Sequence, residues 1–152
     1  MIIGFDHTSF TVTDIHKSVE FWTRYLGFEA ASVSPREGDW QEKVTGVPGA
    51  ELLIAHLYGH GHHMEFIQYT GGGRPSSPIQ PSMAGAAHVC LIVDDIVATW
   101  GDLMRAGAAG QGEISDVTMG HAVGCKAAYL RDPNGIIIEL VELPRRGTAS
   151  MD

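Results

Sequence analysis

The stretch Ala87-His88-Val89-Cys90-Leu91-Ile92-Val93-Asp94-Asp95-Ile96 repeats, 81 positions further on, the pattern of Asp6-His7-Thr8-Ser9-Phe10-Thr11-Val12-Thr13-Asp14-Ile15. A histidine, a valine, an aspartate and an isoleucine fall at matching places. Each copy ends on a carboxylate inside a short apolar run, Glu65 in the first and Glu139 in the second. Because the ionisable residues repeat together with the hydrophobic ones, we predict a duplicated unit that brings two histidines and two glutamates to one metal ion.

Size and composition limit the class of protein. The chain of 152 residues makes one domain, or two small halves that share a core. Its formal net charge of −8 argues against a nucleic-acid partner, since such affinity rests largely on Lys and Arg. With no apolar run of roughly 18 residues and no basic-then-apolar leader, we predict neither a membrane helix nor a signal peptide. Cys90 and Cys125 lie in apolar runs and are predicted to be reduced core residues of a cytoplasmic protein.

Hydrophobic spacing predicts the same order of elements in both halves. An apolar stripe of helical period follows Asp14 and ends at Gly27, and a similar stripe follows Asp95 and ends at Gly107. Strands are predicted at residues 2–13, 28–33, 52–57 and 63–69, and again at 86–93, 113–117, 123–130 and 136–143. Residues 35–48 are predicted to form a polar loop. Each half is therefore strand–helix–strand–strand–strand, which is an α+β arrangement.

The boundary between the halves is marked by glycine and proline. Residues 71–81 contain three of each, which cannot extend a helix or a strand, and they lack the setting of a phosphate-binding loop. We predict a first module at residues 1–70, a linker at 71–84 and a second module at 85–143. The polar tail is residues 144–152.

The four ionisable residues lie within predicted strands, among mostly apolar neighbours on the same face. Burying a lone carboxylate there is costly unless an opposite charge compensates, and a divalent cation does so in one step. Two neutral histidines, two glutamate carboxylates and a divalent ion have no net charge together, and they leave room for water in the coordination shell of the ion. Alone, a strand histidine is more often a hydrogen-bonded core residue, and a strand glutamate more often faces solvent. The repeat of residue type and register favours the metal site.

The run Gly59-His60-Gly61-His62-His63 has two interpretations, a metal-binding tract or a surface hairpin. The hairpin is favoured, with His63 on the same face as Glu65 and behind it as an outer neighbour of the metal site. His16, His56 and His121 have no predicted role. No Ser, His and Asp spacing supports a nucleophilic triad.

Several stretches together resemble the vicinal oxygen chelate superfamily, which includes glyoxalase I, methylmalonyl-CoA epimerase, extradiol dioxygenases, and the fosfomycin and bleomycin resistance proteins. The stretches are residues 5–12, 18–22 with 25–28, 63–67, 87–96 and 129–140. The resemblance implies a fold of two βαβββ modules that form a curled mixed sheet around a metal. It also carries the ligand role onto His7, Glu65, His88 and Glu139.

In this superfamily, a ligand on all four strands is typical of the isomerase and epimerase branch. The implied function is a divalent-metal-dependent lyase or isomerase, glyoxalase- or epimerase-like, with a metal-stabilised enediolate. Glu139, with Glu65 as its partner, then takes a proton next to a carbonyl. Two alternatives stay open: an extradiol-type non-haem iron dioxygenase, and a resistance or sequestration protein that binds a small molecule without turnover.

The resemblance leaves the metal and the substrate open. The ion is Zn, Ni, Co, Mn or Fe, the substrate is a small molecule, and a homodimer is implied. Epimerases resemble one another around a glutamate two residues before a Gly–Val pair, and here Val44 stands at that place before Gly46 and Val47. No convincing coenzyme A or glutathione set is found either.

Overall fold

Two aspartates begin the two long helices of the computed structural model, which describes residues 1–36, 38–72 and 78–144. The carboxylate of Asp14 accepts a hydrogen bond from the Lys17 amide at 3.1 Å, and that of Asp95 accepts one from the Ala98 amide at 2.9 Å. Each bond satisfies an amide that has no partner within its helix. Both helices therefore begin where the sequence predicts.

The described residues form nine strands and three helices. They are β1 (Thr8–Thr11), α1 (Ile15–Tyr25), β2 (Glu29–Arg36), α2 (Trp40–Thr45), β3 (Glu51–Gly59), β4 (His62–Gly71), β5 (His88–Val93), α3 (Ile96–Arg105), β6 (Ala109–Gly110), β7 (Ser115–Asp116), β8 (Lys126–Arg131) and β9 (Ile137–Glu142). Within these described parts, no helix has the length and apolarity needed to cross a membrane.

The two modules have the same strand order. The first sheet runs β1-β4-β3-β2, and the second runs β5-β9-β8-β6 with β7 also paired to β8. In each module the first strand pairs in parallel with the last, and the other pairs are antiparallel. The α+β fold of two βαβββ-like modules with mixed sheets is thus confirmed.

The strand register repeats as well. Ser9 is the Cα partner of Glu65, and Cys90 is the Cα partner of Glu139. Ser9 follows His7 by two positions, and Cys90 follows His88 by two positions. Each glutamate is therefore in the same register relative to the histidine of its own module. Since side chains alternate along a strand, histidine and glutamate share one face of their sheet in both modules.

Two predicted segments are corrected. The first strand is Thr8–Thr11 and not 2–13, so His7 lies just before it, and Ile2 and Ile3 are almost fully exposed. The segment predicted as the loop 35–48 contains the end of β2 and the helix α2. The buried Gln41 amide organises it, because its Nε2 donates to the carbonyl oxygens of Arg36 (2.7 Å) and Gly38 (3.0 Å).

The linker and tail are only partly described. The prediction that the linker begins at Gly71 is corrected, because Gly71 is the last residue of β4 and pairs with Glu51. Residues 72 and 78–84 carry neither helix nor strand, and residues 73–77 of the predicted linker lie outside the described parts. Of the predicted tail, 145–152 lie outside them too.

The buried carboxylate of Asp132 joins the two modules. It accepts hydrogen bonds from Ser18 Oγ (3.2 Å) and Trp22 Nε1 (3.1 Å) on α1, and from the amides of Asn134 (2.9 Å) and Ile136 (2.8 Å) in its own turn. Burial raises the pKa of this carboxyl, and the hydrogen bonds oppose that shift. The core around it is continuous, since buried residues of both modules belong to one cluster.

Replacing Asp132 with Ala should lower the free energy of unfolding by about 3 kcal/mol or more, because several buried donors lose their acceptor. Urea denaturation at neutral pH measures this. Asp94→Ala, an exposed change in the same module, should stay within about 0.5 kcal/mol of wild type. A loss below about 1 kcal/mol in Asp132→Ala would show that the modules are not held together through this carboxylate.

Candidate metal site

The first module places His7 beside Glu65. Glu65, on β4, is buried, and its Oε1 lies 3.3 Å from Nε2 of His7, whose side chain is about one-third exposed. Two ligand atoms about 2.1 Å from one ion and about 90–110° apart are separated by about 3.0–3.4 Å. The two atoms therefore have the separation of neighbouring ligands on a divalent metal.

The other ring nitrogen of His7 is occupied by Asp6. Nδ1 of His7 lies 2.6 Å from Asp6 Oδ2. This hydrogen bond raises the pKa of His7 more than the charge of Glu65 does, and it also lowers the pKa of Asp6. A carboxylate that accepts Nδ1–H leaves Nε2 free to bind a metal, which is the usual support for a ligating histidine. Asp6 was not singled out in the sequence, although it directly precedes His7.

Two further histidines close a ring of ionisable groups on this face. His56 Nδ1 lies 3.1 Å from His63 Nε2, and His56 Nε2 lies 3.9 Å from Glu65 Oε2. His63 Nδ1 lies 3.8 Å from Asp6 Oδ2. Burial is the main cause that lowers the pKa of His56. His63, predicted as a neighbour of Glu65, is thus linked to it through His56, which pairs with Glu65 across β3 and β4.

His60 and His62 lie outside this ring. His60 and Gly61, both with positive φ, form the two-residue turn between β3 and β4, a conformation that the glycine favours. His60 Nε2 lies 2.8 Å from the carbonyl oxygen of Leu26 at the end of α1. Its contact is therefore with the backbone of the helix.

The second module repeats the pair with different neighbours. His88 Nε2 lies 3.1 Å from Glu139 Oε2, and the His88 ring packs against Tyr129 with centroids 5.1 Å apart. Cys90 is the Cα partner of Glu139 on the neighbouring strand, and partial desolvation, followed by the charge of Glu139, raises the pKa of the thiol to about 11. The prediction that Cys90 is a core residue is wrong, because it is exposed on this face, whereas Cys125 is buried. The Cys90 thiol therefore stays protonated at neutral pH, on the strand next to Glu139.

The two pairs do not meet within one protomer. Ligands of one ion would have donor atoms within about 4.4 Å of each other. Among the described residues, the only His, Cys, Asp and Glu group of three or more within 4.8 Å is Asp6, His7 and His63. His88, the partner of Glu139, instead lines a groove of about 680 Å³ together with Cys90, and neither His7 nor Glu65 belongs to that lining.

A βαβββ module that occurs twice, with mixed sheets in the same strand order, defines a protein of the vicinal oxygen chelate fold. The chain belongs to the Glyoxalase/Bleomycin resistance protein/Dioxygenase superfamily, which matches residues 4–140. The resemblance inferred from the sequence is thereby confirmed.

Relatives within this superfamily include enzymes. The chain is 26% identical to a lactoylglutathione lyase of Pseudomonas putida, over 91% of this chain and 84% of that protein. It is 29% identical to a 2-epi-5-epi-valiolone epimerase of an Actinomyces species, over 93% and 80%. A glyoxalase family protein from Bacillus cereus, 22% identical, superimposes with a TM-score of 0.78 over 95% of this chain and 96% of that one. This last likeness shows the fold.

Proposed function

We propose that the protein is a divalent-metal-dependent lyase or isomerase that moves a proton next to a carbonyl group of a small molecule. The observation that carries the proposal is the repeated His–Glu pair, at 3.3 Å in one module and 3.1 Å in the other. The names of the two curated relatives, a lyase and an epimerase, support the same class of reaction.

The donor set fits a metal ion of borderline or hard character. Imidazole and carboxylate ligands suit Zn, Ni, Co, Mn and Fe, and the set does not select among them. Asp6 accepts from His7 Nδ1 and so favours the tautomer whose Nε2 is free to bind a metal. A single pair supplies only two ligands, so His7 and Glu65 need His88 and Glu139 to complete a site.

We propose that a second copy of the chain supplies the missing pair, so that a homodimer has two equivalent sites. Next to His7, the apolar side chains of Ile2, Ile3 and Phe5 are at least 84% exposed, and Ile92 near His88 is 69% exposed. Exposed apolar side chains on the segments that carry both histidines favour a protein contact there. A two-fold dimer presents both surfaces twice, and each first-module pair can meet a second-module pair.

When bound, the divalent ion supplies a positive charge next to two neighbouring oxygens of the substrate and so favours loss of the adjacent C–H proton. Glu139 is the better placed base, since its side chain is 23% exposed, whereas that of Glu65 is 11% exposed and lies near both His7 and His56. Cys90, a protonated thiol on the neighbouring strand, is the Cα partner of Glu139. Glu65 is the second carboxylate, able to return a proton from the other side.

Metal content and deuterium exchange test the proposal together. The purified protein should bind about one divalent ion per chain, and with that ion it should exchange the α-proton of one member of a panel of α-hydroxyketones and 2-oxoaldehyde hemithioacetals with deuterated solvent. A chelator should abolish the exchange, and the ion should restore it. A protein that binds no metal, or whose exchange survives complete metal removal, would contradict the proposal.

A further inference from the structure

Arg36 is a cation on the same face as the first His–Glu pair. The register of β2, β3 and β4 places Arg36, His56 and Glu65 on one side of the sheet. Arg36 Nη2 lies 3.4 Å from His56 Nε2, which in turn lies 3.9 Å from Glu65 Oε2. The guanidinium is therefore one imidazole ring away from a proposed ligand.

The guanidinium has hydrogen-bond donors to spare. Nη1 donates to Ser34 Oγ at 2.7 Å and Nη2 to His56 Nε2. An arginine has about five N–H donors, so about three have no hydrogen-bond acceptor among the described residues. In the described ranges 1–36, 38–72 and 78–144, no carboxylate lies within ion-pair distance of Arg36. Among the described residues of this chain of net charge −8, Arg36 is thus a half-buried cation whose side-chain contacts are a hydroxyl and an imidazole.

The position of Arg36 is fixed from both ends. The buried Gln41 side chain donates to the Arg36 carbonyl oxygen at 2.7 Å and so holds the end of β2. Because Arg36 is a donor only, His56 Nε2 accepts, and the proton of His56 is on Nδ1, which faces His63. The arginine and the histidine pair thus hold each other in place before any ligand arrives.

We propose that Arg36 binds a carboxylate of the substrate, separate from the two oxygens that chelate the metal, so that the substrate is an acid. This inference rests on the proposed function and names the substrate class for that site. A guanidinium fork matches a carboxylate in two parallel hydrogen bonds. A single arginine that is one imidazole ring away from Glu65 suits a monoanion better than a phosphate dianion, which the Glu65 carboxylate would repel more strongly.

Paired chelators test the assignment by calorimetry on the zinc-loaded protein. 2-Oxoglutarate and its neutral 5-amide share the same chelating oxygens and differ in the remote group, and oxalate has no remote group. Wild type should bind the diacid about 10- to 100-fold more tightly than the amide, as expected for charge-assisted hydrogen bonds. Equal affinities would overturn the proposal. A phosphonate analogue that binds more tightly than the diacid would overturn the choice of a carboxylate.

Arg36→Gln should bring the ratio of the two affinities close to one and leave the affinity for oxalate unchanged. Arg24→Gln is the matched control, since Arg24 is an exposed arginine that pairs with Glu20 on α1, and it should keep the wild-type ratio. A wild-type ratio in Arg36→Gln would overturn the assignment. Thermal unfolding checks that both variants fold.

The metal-free protein separates this inference from the proposed function. If oxalate shows no zinc-dependent binding, the chelating site is wrong, whatever Arg36 does. Glutarate titrated into the metal-free protein should still shift the ring nitrogen resonances of His56 in wild type, and the shift should be absent in Arg36→Gln. No shift in wild type would overturn the carboxylate subsite.

Discussion

Glu139→Gln should reduce metal-dependent exchange of the substrate α-proton by about 10²–10⁴-fold, the usual contribution of a general base. Glutamine keeps the shape of the side chain and one oxygen that can bind a metal, but it cannot take up a proton near neutral pH. Glu139 is the partly exposed carboxylate of its pair, and its neighbours Cys90 and His88 both contact it. The measurement is the rate of deuterium incorporation, with the metal content of each variant determined alongside.

Two variants make this result specific. Glu113→Gln, an exposed change in the same module, should leave the exchange rate unaltered. Glu65→Gln should reduce exchange less than Glu139→Gln does, because Glu65 is assigned the return of the proton and not its removal. The reverse order would exchange the two roles, and a Glu139→Gln protein that holds its metal and exchanges at the wild-type rate would exclude Glu139 as the base.

The fold was predictable because its local signals agree with one another. Asp14 and Asp95 cap helices whose apolar stripes face the core. The repeated sequence at residues 6–15 and 87–96 predicts the first strand of each module. The N-terminal limit of β1 was not predictable in this way. Ile2 and Ile3 have strand-forming side chains, but within the described part of the chain no strand pairs with them, and propensity without a partner does not make a strand.

The candidate site was predictable only in part, because sequence spacing does not report cross-strand neighbours. The His–Glu pairs repeat along the chain and could be found from the repeat. His56 is matched in the second module not by a histidine but by Tyr129, which pairs with Glu139, and His56 reaches Glu65 only because β3 and β4 pair in a particular register. Arg36 was placed in a loop, so its face could not be assigned until β2 was seen to extend to it. Tertiary pairing, and not local pattern, brings these residues together.

Co-expression of His7→Ala with His88→Ala, under two different affinity tags, should give a heterodimer that binds about one metal ion per dimer, about half the wild-type content. Each homodimer of a single variant should bind almost none, since every site would lose one histidine. If the proposed dimer shares its sites, one site of the heterodimer has both histidines intact and the other has neither. Metal analysis of the doubly tagged fraction therefore needs no knowledge of the substrate.

The double variant His7→Ala/His88→Ala, co-expressed with wild type, should give the opposite metal content. It therefore decides whether each metal site is shared between two chains or built within one chain. With shared sites, each site of this heterodimer lacks one histidine, and the metal content should be close to zero. With sites built within single chains, the wild-type chain would keep its own site and the dimer would bind about one ion, while the pair of single variants would bind none. The separation of His7 and Glu65 from His88 and Glu139 in one protomer favours the shared arrangement. The intrachain outcome would instead require the two modules to move together when the metal binds.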